Sequence, residues 1–203
     1  MEVQDTLYNG NTIRTYTGQY VDVFNPDPNT FHLVDIAVGL AYENRWNNQN
    51  KFHYSVAQHS LLVADLVPDE LQLHALFHDA SDAYIGDLSR PIKKLCPEFQ
   101  TIESTLMVNL ASTFGFTWPK AQEVEDADKC VMRLEYLAMM VARNPQSLEH
   151  PFDADDAMWR WLERACKLLE LNIDEIIRDT PLADASSPLL MPMNAVIPKR
   201  RRP

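Results

Sequence analysis

The pattern of apolar and polar positions changes character along the chain. Residues 1–29 carry a polar, extended-leaning stretch from Thr12 to Phe24 and then the turn-rich Asn25-Pro26-Asp27-Pro28-Asn29, which predicts a short N-terminal arm or hairpin. From Thr30 the period becomes helical: Phe31, Val34, Asp35, Val38 and Ala41 share a face, and the Thr30 hydroxyl is placed to cap the helix start. Asn44 to His53 is polar and reads as a loop. Ser55-Val56-Ala57-Gln58 then has the form of a capping box, so a helix beginning there carries His59 in its first turn.

Pro68-Asp69-Glu70 opens a further helix, whose apolar set Leu73, Leu76 and Phe77 runs up to His78-Asp79 before Gly86 interrupts it. After Pro91 the spacing predicts helices over roughly 99–114, 119–143 and 153–172, the second capped by Thr117 with Pro119 in its first turn. The Pro-rich stretch from Thr180 reads as an extended tail, ending in the basic run Lys199-Arg200-Arg201-Arg202. The expected organisation is an arm over 1–29, one all-α domain over 30–179, and a tail over 180–203.

Composition agrees with helices. Only 5 glycines occur, and most of the 13 prolines fall in the arm, between elements or in the tail, where they break no helix interior. At 203 residues and 46% hydrophobic the chain can bury one sizeable core. A formal net charge of −11 argues against duplex nucleic acid as a partner, because phosphate backbones need a concentrated basic surface. An anionic substrate must therefore be met by a local cationic centre such as a bound metal. Cys96, Cys130 and Cys166 are odd in number and far apart, which reads as inert core thiols rather than a disulfide framework. With no signal peptide and no apolar run long enough to span a bilayer, a cytoplasmic protein is expected.

Histidine followed directly by aspartate at a helix end is a weak signal by itself. An imidazole from the preceding helix and carboxylates from two helices strengthen it, since such mixed N/O ligands suit a borderline or hard divalent ion. A metal in that setting polarises a phosphoryl oxygen and acidifies a bound water, the two demands of phosphoester hydrolysis. His74, four before His78, invites a zinc-pair reading but is taken as an ordinary partly buried histidine. His32, His53 and His150 receive no role.

Three stretches together resemble the HD-domain phosphohydrolases: Tyr54 to Ser60, Leu76 to Leu88 with His78-Asp79 at its centre, and Asp126-Ala127-Asp128 followed seven residues later by Glu135. The resemblance implies an all-α HD-domain helical bundle with His59, His78, Asp79 and Asp128 binding one divalent metal, drawn from Mn, Co, Fe, Ni, Zn and Mg. Asp126 is the fallback for the last ligand. Within that superfamily the chain is similar to the bacterial 5′-deoxynucleotidases and to phage-encoded dATP triphosphohydrolases, sharing Asn44-Arg45-Trp46 with the latter. The relatives' proton-handling acids fall on Asp82 and Asp87. Where the nucleotidases usually have glutamate this chain has Asp82, one methylene shorter.

The resemblance also assigns Arg45 as a phosphate clamp, and Trp46 as a stacking wall or else a core residue, with Lys93 and Lys94 as further phosphate contacts. It implies hydrolysis of dATP to deoxyadenosine and triphosphate, or alternatively broad 5′-deoxynucleotidase action on monophosphates, in a homo-oligomer. A non-catalytic nucleotide-sensing domain is the competing reading, motivated by the shortened Asp82. A binuclear cyclic-dinucleotide phosphodiesterase is disfavoured because only His150 follows the pair among histidines, and a metal nuclease because the basic tail is more simply a solvated one.

Overall fold

The computed structural model describes residues 10–144, 148 and 152–180. The N-terminal arm is a small hairpin in which β1 (Thr12–Arg14) pairs antiparallel with β2 (Tyr20–Asp22). Its turn is fastened to the helical body. The Thr17 N–H and hydroxyl donate to the two carboxylate oxygens of Asp35 at 2.7 and 2.8 Å, in the first turn of α1 (Leu33–Tyr42). Burial pushes the Asp35 carboxyl above its usual range, and the Thr17 bonds pull against that shift.

Thr30 is not the cap of α1. Asp27 caps a single 3-10 turn over Pro28–Thr30, the Thr30 hydroxyl donates back to the Asp27 carbonyl at 2.7 Å, and α1 starts at Leu33. The Asp27-Pro28 pair makes a turn of its own before the helical period can begin.

Helix α1 packs on α8 (Ala154–Leu168), α4 (Asp82–Ile85) and α2 (Val56–Asp65). Helix α2 is central, in contact with α3 (Gln72–Leu76), α7 (Gln122–Glu135) and α8, and eight of its ten residues are buried. Ser55 caps it as expected, accepting the Gln58 N–H at 3.1 Å. The Gln58 side chain also accepts the Phe152 N–H at 3.0 Å, tying the helix start to the segment before α8.

The helix expected to run from Pro68 to His78-Asp79 is shorter and broken. A 3-10 turn over Asp69–Leu71 leads into α3, which ends at Leu76, and tight turns follow before α4. The cause is local: the Ala75 carbonyl, which a continuing helix would offer to residue 79, accepts instead from His78 Nδ1 at 2.7 Å. Phe77 pins this break to the core, its ring 5.3 Å from both Phe114 and Phe116 and 4.9 Å from Trp161, centroid to centroid. Trp161 Nε1 donates to the buried Leu76 carbonyl at 3.3 Å, satisfying an acceptor that the broken helix leaves over.

Short α5 (Arg90–Lys93) precedes α6 (Pro97–Phe114), which Gly115 ends at φ +77°, a left-handed conformation suited to glycine. Helix α7 begins three residues past Pro119, because the Thr117 hydroxyl is engaged with His74 Nδ1 at 3.1 Å and does not cap it. Its last α-helical residue is Glu135; the helix then widens into π geometry over Tyr136–Val141. The predicted helix over 153–172 is two: Asp153 caps α8, Glu170 takes a left-handed φ of 56°, and Asn172 caps α9 (Ile173–Asp179).

The all-α expectation for the body is met, with the hairpin as the strand pair among the described residues. The cysteines are not uniformly core: Cys166 is buried, Cys96 half-buried and Cys130 exposed. The tail, with its basic run, lies outside the described residues, as does His150. No helix among the described residues is long and apolar enough to cross a membrane.

Candidate metal centre

Three separate elements bring their side chains to one point. His59 comes from the first turn of α2, His78 and Asp79 from the turns after α3, and Asp128 from the second turn of α7. Each imidazole is oriented by its Nδ1. His78 Nδ1 must donate, because its partner is the Ala75 carbonyl. His59 Nδ1 lies 2.7 Å from Glu135 Oε1, and Glu135 is held down to about 2 because His59 and Arg45 overcome the opposing effect of burial, so it is ionised and Nδ1 is again the donor. With each Nδ1 committed as a donor, Nε2 is the ring position left to bind a metal once any proton on it has gone.

Both Nε2 atoms are buried and have no partner apart from the Asp79 and Asp128 carboxylates. His59 Nε2 stands 3.2 Å from Asp128 Oδ1 and 3.9 Å from Asp79 Oδ2; His78 Nε2 stands 3.1 Å from Asp79 Oδ2 and 3.9 Å from Asp128 Oδ1. Two buried ring nitrogens facing two carboxylates need a shared positive charge between them, a proton in the metal-free protein or a metal ion in its place. Donor atoms of His59, His78 and Asp128 lie within 4.8 Å of one another, close enough to share one ion. This donor set fits a divalent metal of the borderline or hard kind, with Asp79 presenting Oδ2 beside both rings. The fallback is ruled out: Asp126 is exposed and accepts from Gln122 Nε2 at 2.9 Å.

Charge at the site is finely opposed. Burial and the Arg45 guanidinium disfavour a proton on His59, yet the Glu135 and Asp128 carboxylates override them and raise it to about 9. Burial would raise Asp79 and Asp128, but the His78 and His59 imidazoles beside them hold both below the ordinary carboxylate range.

Two further acids flank the ligands. Asp82, in the first turn of α4 and 8% exposed, is pushed well above its usual range by burial and by the neighbouring Asp79, Asp87 and Glu103 carboxylates, with Lys93 opposing. Burial also raises Asp87, and its backbone N–H donates to Glu43 Oε1 at 3.4 Å.

The cations expected to meet substrate are placed differently from the sequence reading. Arg45 is 11% exposed at its side chain, and both Nε and Nη2 lie 3.0 Å from Glu135 Oε2, so it is committed to a protein carboxylate. Trp46 is half-buried, 5.7 Å from the Tyr136 ring and 5.9 Å from the Arg45 guanidinium. Lys93 is half-buried and paired with Glu103, and Lys94 is exposed. His74 is buried against Phe116 and stands apart from the donor group. His53 Nε2 contacts the Ala41 carbonyl at 2.9 Å.

Sequence reasoning missed Lys120, whose Nζ lies 3.2 Å from Asp128 Oδ2, and Arg90, which rests on Met132 Sδ at 3.7 Å and has no carboxylate partner among the described residues. Met132 lies one turn beyond Asp128 on α7, so that guanidinium sits beside the ligand face of the helix. It also left Glu135 without a role, although a separation of seven from Asp128 is two helical turns and puts both on one face.

No family model matches the chain. Among curated proteins it is 34% identical over 125 residues to the uncharacterized protein YfdR of Escherichia coli, covering 61% of this chain and 69% of that one. It is 32% identical over 136 residues to the uncharacterized protein RCAP_rcc00048 of Rhodobacter capsulatus, covering 60% and 69% respectively. At that identity and coverage, the chain belongs to the family of the Escherichia coli protein YfdR.

Proposed function

We propose that this protein is a metal-dependent phosphohydrolase of the HD-domain type, acting on deoxynucleoside phosphates, with dATP as the first substrate to test and deoxynucleoside monophosphates as the alternative. The observation that carries the reading is the convergence of the buried His59 and His78 Nε2 atoms on the Asp79 and Asp128 carboxylates, from three separate elements. A divalent cation held by these residues supplies Lewis-acid polarisation of a phosphoryl oxygen and a more acidic water.

The chain's own groups supply the rest. Glu135 and the Ala75 carbonyl hold the two imidazoles in the ligating tautomer. Asp82 is the group best suited to proton handling, since it is buried beside the candidate ligands, and burial and its acidic neighbours raise its carboxyl well above the usual range, which favours holding a proton. Glu43 fixes the backbone at Asp87, the second acid at the rim. Lys120 and Arg90 are the cations placed to meet phosphate oxygens beyond the ligands. Lys120 pairs with one carboxylate oxygen only, and Arg90 gives up no more than a thioether contact to bind an anion bidentately.

The test is a panel of dATP, dGTP, dCTP, dTTP, ATP and dAMP, incubated with purified protein and Mn, Co or Mg, with nucleoside and phosphate species separated afterward. Metal-dependent release of nucleoside from a deoxynucleotide supports the reading. Intact nucleotides under every metal refute it and leave the sensing role.

A further inference from the structure

We infer that Arg45 is a positioning residue of the metal centre, which fixes the His59 imidazole through Glu135, and is not a clamp on substrate phosphate. The inference rests on the metal-binding part of the proposed function and not on the hydrolytic part.

His59 and Arg45 take different oxygens of one carboxylate, to which the Tyr54 side chain also bonds. Glu135 Oε1 accepts from His59 Nδ1 at 2.7 Å, and Glu135 Oε2 takes both Arg45 Nε and Nη2 at 3.0 Å. His59 and Glu135 are fully buried, and the Arg45 side chain is 11% exposed. An ionised carboxylate in that setting needs its guanidinium partner; a phosphate that drew Arg45 away would leave Glu135 charged and half-compensated in the interior. A clamp that must break a buried pair to engage its ligand is poorly suited to the task. A strut that holds the carboxylate so that the carboxylate can hold the imidazole uses every contact observed.

The backbone is built for the strut. Segment 43–45 runs against segment 54–56, with the Arg45 N–H donating to the Tyr54 carbonyl at 2.9 Å and the Val56 N–H to the Glu43 carbonyl at 3.0 Å. Asn44 closes the loop, accepting the Tyr54 N–H at 2.7 Å and donating to Asn48 and Asn50. Arg45 and His59 therefore hang from the two ends of one closed loop. Adjacent Trp46 packs on Tyr136, adjacent to Glu135, so residues 45–46 grip residues 135–136 at the point where α7 widens into π geometry. Trp46, Asn47 and Asn48 hold left-handed φ values of 61, 50 and 59°. For tryptophan that conformation is strained, and it persists where surrounding contacts over-determine it.

The experiment measures Co2+ affinity of metal-stripped protein by visible absorption and chelator competition, for wild type, Arg45→Gln, Arg45→Lys, Glu135→Gln and the double Arg45→Gln/Glu135→Gln. Circular dichroism checks the fold, and long-range 15N NMR of the metal-free protein, taken above the His59 titration near pH 9, reads the His59 tautomer. Glu135→Gln should weaken Co2+ binding about 10- to 100-fold and mix the His59 tautomers. Arg45→Gln should weaken it in the same direction, Arg45→Lys should fall between Arg45→Gln and wild type, and the double variant should bind about as Glu135→Gln does, because Arg45 acts only through Glu135. Should Arg45→Gln misfold on its buried lone carboxylate, the double variant and Arg45→Lys carry the test. Wild-type Co2+ affinity in Arg45→Gln or in the double variant overturns the inference, and with a raised KM would restore the clamp. A wild type that binds no Co2+ overturns inference and metal centre together, whereas tight Co2+ binding without nucleotide cleavage refutes hydrolysis alone.

Discussion

Gly39 of α1 and Ala83 of α4 touch so closely that a Cβ on residue 39 would stand 2.6 Å from the Ala83 carbonyl oxygen and 2.7 Å from its Cα and Cβ. The contact is backbone to backbone, so neither partner can swing aside as a flexible side chain would. It sets the distance between the helices, and α4 opens with Asp82.

Gly39→Ala should therefore push α4 outward, even though alanine is the better helix former by about 1 kcal/mol. The overpacking should destabilise the protein by about 1–3 kcal/mol in urea unfolding. Turnover should fall further than metal affinity, since α4 carries Asp82 and none of the four proposed ligands. A variant as stable and as active as wild type would contradict this account of the crossing.

Asp82→Asn is expected to lower turnover by about 10²–10⁴-fold while leaving metal content near that of wild type, because its proposed work is proton handling. Single-turnover kinetics beside metal analysis by mass spectrometry check both halves. Unchanged turnover would move the role to Asp87.

Phe77→Ala removes a ring packed on Phe114, Phe116 and Trp161 at the residue directly before His78. A loss of about 3–5 kcal/mol is expected on unfolding, together with weaker metal binding, as the turns carrying His78 and Asp79 lose their anchor. A stability loss under about 1 kcal/mol would mean that the turn is held by something other than this cluster.

The metal-free protein should lose stability at high pH through His59 and at low pH through Glu135. His59, raised to about 9 from 6.5, contributes stability that is full below pH 6.5 and fades as pH rises through 9. Glu135, lowered to about 2 from 4.5, contributes stability that is full above pH 4.5 and fades as pH falls through 2. Metal must displace the His59 proton, so affinity should climb as pH is raised toward 9. Thermal unfolding and Co2+ titrations from pH 5 to 9 test this. Affinity that does not change with pH would be inconsistent with a protonated His59 in the metal-free site.

The residues of the candidate metal centre could be picked out in the sequence because each lies on or beside a helix whose capping or period is locally encoded: Ser55 announces the start of α2, and the apolar run to Phe77 leads to His78-Asp79. What surrounds them was not. The break after Leu76 depends on His78 Nδ1 taking the Ala75 carbonyl, a side-chain choice that periodicity does not record. The Arg45–Glu135 pair was not legible because its partners lie 90 residues apart, and only the closed fold joins them. Lys120 sits in the loop before α7, where no repeat or cap marks a residue as facing the site. Short-range pattern finds the clustered His and Asp residues, whereas the charges that orient them are settled by long-range packing.

The central claim is most directly tested by titrating metal-stripped protein with Co2+, followed by visible absorption, for wild type and for His59→Ala, His78→Ala, Asp79→Ala and Asp128→Ala. The account predicts one tight equivalent in wild type and its loss in all four variants, with helical content preserved throughout. A wild type without a saturable site, or His59 and His78 variants that bind as wild type does, would contradict it.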